Sequence, residues 1–162
     1  MELFSLRDKV IIVTGGTGIL GTSFVNAITE AEGTVVIADI REEACIKKAE
    51  EINAAGGKAL GINANVLEEA SLKEACEKIM ATFGRIDGLV NAAGGNVPEA
   101  VVENDADIFD MNIEGMKKAL VLNLWGTIIP SQIFGAAMAK GGKGSIVNIS
   151  SVSPKNALTK VL

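Results

Sequence analysis

A run of apolar residues followed by closely spaced glycines constrains the fold of this chain more than any other feature. The run Val10-Ile11-Ile12-Val13 has the continuous β-branched composition of a strand buried on both faces. Glycines follow at positions 15, 16, 18 and 21, and helical spacing of apolar residues extends from Ile19 to Ala31. The pattern therefore predicts a buried strand, a tight turn and a helix.

The glycine spacing indicates what the turn binds. Gly16-x-Gly18-x-x-Gly21, placed after a strand and opening a helix, is typical of a loop that holds the diphosphate of a dinucleotide. Backbone N–H groups at a helix N-terminus attract negative charge, and a Cβ there would hold the backbone away from the phosphates. We therefore predict cofactor contacts from the turn, at Gly15, Gly16, Thr17, Gly18 and Ile19.

An acidic residue supports this interpretation. Thr34–Asp39 is a second buried-strand pattern, and Asp39 follows Gly21 by 18 residues, near the offset of about 20 expected for a ribose-binding carboxylate. A carboxylate accepts hydrogen bonds from a ribose 2′-hydroxyl and repels a 2′-phosphate. The sequence thus favours NAD over NADP, the alternative being that Asp39 is only a polar strand end.

Strand and helix patterns alternate along the whole chain, which predicts βαβ units and a parallel sheet with right-handed crossovers. We expect an α/β fold of Rossmann type, a doubly wound parallel sheet of order 3-2-1-4-5 in a single domain over residues 1–162. After the first unit, the predicted strands are Thr34–Asp39, Lys58–Asn63, Ile86–Asn91 and Gly144–Ile149, and the predicted helices are Glu42–Ala55, Glu68–Phe83 and Ile113–Lys140, the last with an interruption near Gly126 or Pro130.

Composition excludes several function classes. The 162 residues contain no histidine, so a Ser-His-Asp triad, a Cys-His pair and a His-Glu-x-x-His metal site cannot form from them. The net charge of −5 and the lack of a basic run argue against a nucleic-acid partner. Cys45 and Cys76 lack metal-ligand spacing, so we expect no metal and interpret both as reduced packing residues of a cytoplasmic protein.

One apolar stretch is long enough to span a membrane. Residues 119–139 carry no charge over about the length of a bilayer span. Polar residues, a proline and two glycines interrupt the stretch. We therefore predict a buried central helix and no membrane partner.

Three further segments resemble the short-chain dehydrogenase/reductase family, and the resemblance covers essentially the whole chain. Phe83–Gly94 ends in Asn-Ala-Ala-Gly, which is similar to the family's fourth strand and the loop after it. Gly144–Ser151 resembles its fifth strand and catalytic serine, and Asn123-Leu124-Trp125-Gly126 resembles the helix segment whose asparagine supports a proton relay.

The resemblance implies hydride transfer between a nicotinamide and an alcohol or ketone. It assigns Ser151 as the serine that orients the substrate oxygen and Asn123 to the relay, although Ser151 can also be an ordinary strand-end hydroxyl and Asn123 a satisfied core amide. Asn65 and Val66 stand where the family has Asp-Val beside the adenine. Cofactor contacts are implied for the fourth-strand motif at Asn91, Ala92 and Gly94, where Asn91 is expected mainly to brace adjacent strands.

Besides Asn65 in place of the family's aspartate, two departures from the family pattern matter. The chain has no tyrosine, and the family's Tyr-x-x-x-Lys would begin just past Leu162, so the resemblance implies that the family's C-terminal portion is lacking. A dinucleotide-binding module without turnover is therefore the alternative to an oxidoreductase. The glycines also follow Thr-Gly-x-x-Gly-x-x-Gly from Thr14, as in a longer branch of the family, whereas the other motifs follow the shorter branch.

A finer resemblance concerns the substrate. Ala93–Pro98 and Leu122–Gln132 look like the branch that interconverts D-mannonate and D-fructuronate, a pair of sugar acids. Asn96 would then lie over the nicotinamide and contact the substrate, as would Ser151 and Ser153, although Asn96 is equally interpretable as a turn residue. The family's use of the long helix also implies a homo-oligomer.

Overall fold

The computed structural model describes residues 4–101 and 107–150. Its five strands are β1 Val10–Thr14, β2 Thr34–Asp39, β3 Lys58–Asn63, β4 Gly88–Asn91 and β5 Ser145–Asn148. They pair in parallel in the order β3-β2-β1-β4-β5, which confirms the predicted doubly wound sheet of Rossmann type.

Five helices connect and flank the strands. They are α1 Ile19–Glu30, α2 Glu42–Ala54, α3 Glu69–Phe83, α4 Ile113–Leu120 and α5 Gly126–Lys140. Most bounds agree with the sequence pattern to within one or two residues, the usual uncertainty of a helix or strand end. Among the described residues between β4 and α4, two short 3₁₀ turns are found, Pro98–Ala100 and Ile108–Asp110.

A π turn over Val121–Trp125 joins α4 to α5, so that 113–140 forms one irregular helix. The interruption predicted near Gly126 or Pro130 thus lies just before Gly126, and the chain stays helical through Pro130. Proline lacks the N–H that would bond the carbonyl four residues earlier, which here belongs to Gly126. A wider turn at this point is a common response to such a missing bond, and it is also common at functional sites.

The core lies on both faces of the sheet because successive strand residues point to opposite sides. On one face, Ile12 and Val36 pack with side chains of α3 and α5, such as Ile79 and Phe134. On the other face, Val13 packs with side chains of α1 and α2. All six residues of β2 are buried, as expected for a central parallel strand.

The long helix buries only one of its faces, which differs from the buried central helix expected from the sequence. Phe134 and Met138 lie in the core against the sheet. Six large apolar side chains of this helix are exposed, namely Ile113, Leu120, Val121, Leu124, Trp125 and Ile128. By length and composition alone, 113–140 could cross a membrane. Its packing against the sheet and α3 instead gives it a place in the core of an α/β domain.

The strand register brings polar side chains together at the carboxyl edge of the sheet, where all five strands end. Thr14 pairs with Ala38 on one side and with Asn91 on the other. Asp39 pairs with Asn63, and Asn91 pairs with Asn148. In open parallel sheets, ligands bind in the crevice beyond this edge.

Candidate functional site

The turn between β1 and α1 is too tight for side chains at two of its glycines. Gly15 has φ +63°, which favours glycine, and a Cβ there would lie 2.8 Å from the Cα of Ala93. A Cβ on Gly21 would lie only 2.1 Å from the carbonyl oxygen of Gly15. The N–H of Gly18 closes the turn by donating to that same carbonyl at 2.9 Å. The glycines thus bring the turn against both α1 and the loop after β4.

The first turn of α1 leaves its N–H groups available to a ligand. Gly18 is its N-cap, no side chain in the described part of the chain caps the helix, and no acidic residue lies in the first turn. Ile19, the first helical residue, is 92% exposed. Unpaired N–H groups and the positive end of the helix dipole suit a phosphate at this position.

Asp39 ends β2 beside this turn and is buried, with 6% of its surface exposed. Its Oδ2 accepts the hydroxyl of Thr17 at 2.6 Å and the N–H of Thr17 at 3.2 Å. Its Oδ1 accepts the backbone N–H of Arg41 at 3.2 Å and the Nε of that residue at 3.3 Å. The carboxylate therefore joins the glycine turn to the start of α2.

Asp39 stays ionised at neutral pH despite its burial. Burial is the largest single influence and favours the neutral form, but the hydrogen bonds from Thr17 and Arg41 together outweigh it and lower the pKa of Asp39. An ionised carboxylate beside a glycine turn, at the end of the second strand, is the kind of group that accepts ribose hydroxyls in folds of this type.

Asn65 and Val66 follow β3 at the same edge. The side chain of Asn65 forms a local turn, since its Oδ1 accepts the N–H of Leu67 at 3.1 Å and its Nδ2 donates to Glu68 at 2.7 Å. An amide oxygen has a second lone pair, so Oδ1 can still accept from an adenine amino group. Val66 is buried and packs against Gly126. A Cβ added to Gly126 would lie 3.0 Å from the Cγ2 of Val66.

Thr14 connects β1 to the loop after β4. The residue is fully buried, and its hydroxyl accepts the N–H groups of Ala92 and Ala93, each at 3.2 Å. These bonds hold the first residues of the Asn-Ala-Ala-Gly loop close to Gly15. The floor of the crevice is therefore fixed by a side chain from the neighbouring strand.

Asn91 braces two elements at once. Its Nδ2 donates to Asn148 Oδ1 on β5 and to the hydroxyl of Ser131 on α5, each at 2.8 Å. That hydroxyl in turn donates to the carbonyl of Thr127 at 2.7 Å. Within residues 4–101 and 107–150, the buried Oδ1 of Asn91 has no hydrogen-bond partner. The contacts agree with the expected bracing role.

Asn123 lies in the π turn and holds the glycine loop in a two-bond fork. Its Oδ1 accepts the N–H of Gly95 and its Nδ2 donates to the carbonyl of the same residue, both at 2.9 Å. Nδ2 also donates to the carbonyl of Ala119 at 2.8 Å. Because both amide hydrogens are used, the side chain of Asn123 acts here as a clamp on the loop. It is exposed, so it is not the satisfied core amide considered as the alternative.

The remaining predicted residues are distributed unevenly. Asn96 is exposed at a small pocket that is also lined by Val97, Ala119 and Asn123. Ser151 and Ser153 lie outside the described residues, and β5 ends at Asn148. The structure brings the other predicted cofactor-binding residues to the carboxyl edge, namely Gly15, Gly16, Thr17, Gly18, Ile19, Asp39, Asn65, Val66, Asn91, Ala92 and Gly94.

Sequence reasoning missed four residues that shape this edge: Thr14, Arg41, Ser131 and Asn148. Arg41 carried a usable signal, because a cation two residues after a strand-end carboxylate can turn back onto it. Ser131 and Asn148 carried none, since they meet Asn91 across 40 and 57 residues of chain.

The surroundings of the two cysteines keep their thiols protonated. Burial, with a smaller contribution from the charge of Asp39, raises the pKa of Cys45 to about 11, so its thiol is protonated at neutral pH. Burial also raises the pKa of Cys76. Within the described part of the chain, no cluster of three acidic or sulfur ligands could hold a metal ion.

Comparison with known proteins decides the family. The family model for short chain dehydrogenases matches residues 9–161. The chain belongs to the short-chain dehydrogenase family. The matched range includes the segments that suggested this resemblance, and the crevice at the carboxyl edge lies where folds of Rossmann type bind nucleotides.

Three relatives illustrate the range of this dehydrogenase family. A Haemophilus influenzae protein known only as an oxidoreductase is 35% identical over 97% of this chain and 59% of its own length. The 7alpha-hydroxysteroid dehydrogenase of Bacteroides fragilis is 34% identical over 91% of this chain and 55% of its own. A crystal structure from Haemophilus influenza with bound NAD, provisionally identified as a D-mannonate oxidoreductase, has a TM-score of 0.90 and 34% identity, and covers 98% of this chain and 60% of its own. The chain thus spans between half and two thirds of the length of these relatives.

Proposed function

We propose that this short-chain dehydrogenase is part of an NAD(H)-dependent oxidoreductase that acts on an alcohol or ketone, with a sugar acid such as D-mannonate or D-fructuronate as substrate. One observation carries the proposal. The glycine turn, the ionised Asp39 and the clamped loop after β4 all meet at the carboxyl edge of one parallel sheet.

The residues present fit a dinucleotide from one end to the other. The diphosphate would lie against the backbone of the turn from Gly15 to Ile19 and would accept from the uncapped N–H groups of the first turn of α1. An added Cβ on Gly15 would meet backbone of the opposite loop. Asp39 would hold the adenosine ribose, and Asn65 with Val66 would contact the adenine. Asn91, Ala92 and Gly94 would form the floor below the nicotinamide.

When bound, NAD supplies the chemistry by accepting a hydride from the alcohol carbon, or by returning it from NADH to the ketone. The proposed role of Ser151 is to donate a hydrogen bond that orients the substrate oxygen. Asn123 would act indirectly, because its two hydrogen bonds to Gly95 would hold the loop in position. The hydroxyl proton needs a separate acceptor, and these 162 residues contain no tyrosine or histidine to provide it.

The substrate class is supported by two features. In the Ala93–Pro98 segment, Asn96 is one of the residues that line a small pocket beside the loop, which supports a role in substrate binding. The NAD-bound relative provisionally identified as a D-mannonate oxidoreductase matches nearly all of this chain. A hydroxyl-rich substrate suits an amide that can both donate and accept hydrogen bonds.

The direct test is NADH formation by the full-length protein that contains this sequence. We expect turnover with D-mannonate and NAD, the reverse reaction with D-fructuronate and NADH, and little turnover with a 7α-hydroxysteroid. An Asn96→Ala variant should raise KM for D-mannonate and leave NADH affinity unchanged. Turnover of the steroid without turnover of either sugar acid would contradict the substrate class and leave the oxidoreductase proposal standing.

The lack of tyrosine favours a second candidate function for these 162 residues taken by themselves, a dinucleotide-binding module without turnover. Loss of a positioned general acid or base typically costs about 10²- to 10⁴-fold in rate, so binding can persist without catalysis. Calorimetry with NADH on the 162-residue chain, alongside the turnover assay, separates the candidates. Binding without turnover would support the module.

We also propose a homo-oligomer in the cytoplasm, with no membrane or nucleic-acid partner. The exposed apolar face of the long helix, which includes Leu124 and Trp125, is the surface suited to a second copy. The mass of the full-length protein in solution, measured by light scattering, tests this proposal. A monomer at micromolar concentration would contradict it.

A further inference from the structure

The 3₁₀ turn Pro98–Ala100 lies directly against α4 at a position where α4 has no side chain. Gly115 is buried in the first turn of α4, and its N–H donates to the side chain of Asn112, the N-cap, at 3.0 Å. A Cβ added to Gly115 would lie 2.9 Å from the backbone nitrogen of Ala100 and nearer still to the carbonyl oxygen of Glu99. Both atoms belong to backbone, so the turn itself would have to move. This close approach therefore requires glycine at position 115.

An ion pair joins the same turn to α4. The Nζ of Lys118 lies 3.1 Å from the Oε1 of Glu99, 19 residues away in the chain. The adjacent Lys117 pairs within α4 instead, with Glu114 at 2.7 Å. Both pairs are exposed and contribute little to stability. The packing at Gly115 therefore fixes the distance between the turn and α4, and Lys118 only steadies the turn there.

A small pocket lies between the loop after β4 and the long helix. Its lining includes Asn96, Val97 and Ala100 from the loop and Ala119 from the helix. The loop is attached to the helix on both sides of Asn96, first by the fork from Asn123 to Gly95 and then by the turn that rests on Gly115. Because one wall of the pocket is loop and the other is helix, the distance between them sets its width.

We propose that Gly115 determines substrate specificity as a positioning residue, because it sets the width of this pocket. The inference rests on the proposed function, in which Asn96 contacts the substrate. A Cβ at position 115 would push the turn away from α4, while the fork from Asn123 would still hold Gly95. The loop would then tilt about its held end and carry Asn96 away from the substrate.

The cofactor contacts would stay in place after such a change. The floor below the nicotinamide lies before Gly95 in the chain, and there the hydroxyl of Thr14 accepts the N–H groups of Ala92 and Ala93. Neither of these bonds involves α4. A change at position 115 should therefore affect the substrate and leave the dinucleotide bound.

A narrow pocket suits a slender substrate. The carbon chain of an open sugar acid is narrow and its hydroxyls can bond the amide of Asn96, whereas a fused ring system such as a steroid is much wider. A wider pocket would lose contacts with the sugar acid but would not weaken a broad alcohol in the same way. The width set at Gly115 thus favours an open-chain substrate over a bulky one.

The experiment uses the full-length protein. It measures steady-state turnover of D-mannonate with NAD and the calorimetric binding of NADH, followed by that of D-mannonate to the NADH complex. In Gly115→Ala, we expect KM and the dissociation constant for D-mannonate to rise about tenfold, with kcat and NADH affinity nearly unchanged. Lys118→Glu, which faces Glu99 with a like charge on an exposed surface, should raise the same two constants about threefold.

Two matched controls separate this effect from general damage. Gly135→Ala also adds a Cβ to a helical glycine, but the nearest contact is the Cδ1 of Ile146 at an ordinary 3.5 Å. Lys117→Glu makes the same change of charge one residue before Lys118. Both controls should leave KM for D-mannonate and NADH affinity unchanged.

An unchanged KM for D-mannonate in Gly115→Ala would overturn the role of Gly115 and leave the proposed oxidoreductase standing. An equal loss of affinity for D-mannonate and NADH, the same rise of KM in Gly135→Ala, or a wild type that turns over a steroid but not D-mannonate would do the same. If Gly115→Ala does not fold, Lys118→Glu decides, and an unchanged KM there overturns the proposal. A wild type that turns over neither D-mannonate nor another alcohol would remove the proposed function itself, and this inference with it.

Discussion

At the amino edge of the sheet, Asp87 pairs with Arg85 two residues before it, whereas at the carboxyl edge Asp39 pairs with Arg41 two residues after it. The chemistry is the same, but the remaining contacts differ. Asp87 accepts the N–H of Val10 at 2.9 Å and so joins the start of β4 to β1. Asp39 accepts instead from Thr17, in the turn that leads into the uncapped first turn of α1.

A second arrangement also occurs at both edges, an asparagine side chain that bonds both the N–H and the carbonyl of one residue. Asn53, at the end of α2, forms a two-bond fork with the peptide groups of Ala59 in β3, at 2.8 and 3.0 Å. Asn123 forms the same fork with Gly95 at 2.9 Å for each bond. Ala59 belongs to a regular strand, whereas Gly95 has φ +143° and lies in a loop after β4.

The comparison shows that the same pair of side chains has a different role at each edge of the sheet. In parallel α/β sheets, the carboxyl edge faces the N-terminal ends of the following helices, so its side chains border a crevice that attracts anions. The amino edge offers no such crevice, and the same pairs there only connect neighbouring elements. The same substitution made at matched residues of the two edges tests this difference.

The largest expected effect comes from a glycine at each edge. Gly21→Ala would place a Cβ 2.1 Å from the carbonyl oxygen of Gly15 and should cost about 3 kcal/mol of unfolding free energy or more, because backbone must move. Gly88→Ala, at the start of β4, meets only ordinary contacts at 3.4 Å and should cost about 1 kcal/mol or less. Urea unfolding of both variants measures the difference, and equal losses would contradict it.

The next effect separates binding from stability at the two aspartates. Asp39→Asn should weaken NADH binding about tenfold, because the ribose loses a charged acceptor. Asp87→Asn should lower the unfolding free energy by about 1 kcal/mol and leave NADH affinity unchanged, since Asp87 bonds only the protein. Calorimetry and urea unfolding on both variants give the full comparison. A loss of NADH affinity in Asp87→Asn as large as in Asp39→Asn would end the distinction between the edges.

A smaller effect is expected at the two asparagines. Asn123→Ala and Asn53→Ala each remove a fork and should each cost about 1 kcal/mol of stability. Only Asn123→Ala should also lower kcat of the full-length enzyme, by about tenfold, because it frees the loop under the nicotinamide. Steady-state kinetics at saturating NAD measure this effect. Equal kcat values for the two variants would show that the Asn123 fork is structural, like its counterpart.

The sequence predicts some features of the sheet and of its carboxyl edge but not others. The strand order, the glycine turn and Asp39 follow from local patterns, because apolar runs, glycine spacing and a strand-end acid lie close together in the chain. The Asn91 bonds to Ser131 and Asn148 depend on three-dimensional proximity across 40 and 57 residues, which no local pattern encodes.

The long helix shows a second reason for incomplete prediction. Its α5 segment is apolar on nearly every side, so periodicity could not indicate that Phe134 faces the core while Ile128 is exposed. The π turn at Asn123 lies one turn before Pro130, which lacks an N–H, and carries the fork to Gly95, a contact 28 residues away in the chain. Sequence reasoning found the irregularity but not its form.

The smallest expected effect is the pH dependence of the two aspartates. At each, burial is the largest influence and opposes ionisation, but hydrogen bonds outweigh it, from Thr17 and Arg41 at one edge and from Arg85 and Val10 at the other, so both pKa values are lowered. A lowered folded-state pKa adds stability that is fully present above the unfolded value of about 4 and is lost as pH falls through the folded value.

Stability should therefore be nearly constant between about pH 5 and 8 and should fall on further acidification. Urea midpoints should fall less steeply in Asp39→Asn and in Asp87→Asn than in the wild type, because each variant removes one proton-binding group of lowered pKa. With saturating NAD, the urea midpoint should fall more steeply below about pH 5 in the wild type and in Asp87→Asn. It should not do so in Asp39→Asn, because only Asp39 would bind the ribose. If the urea midpoint falls equally steeply with acid in all three proteins in the presence of NAD, the ribose does not bind Asp39. That result would contradict the proposal that only the carboxyl edge binds the cofactor.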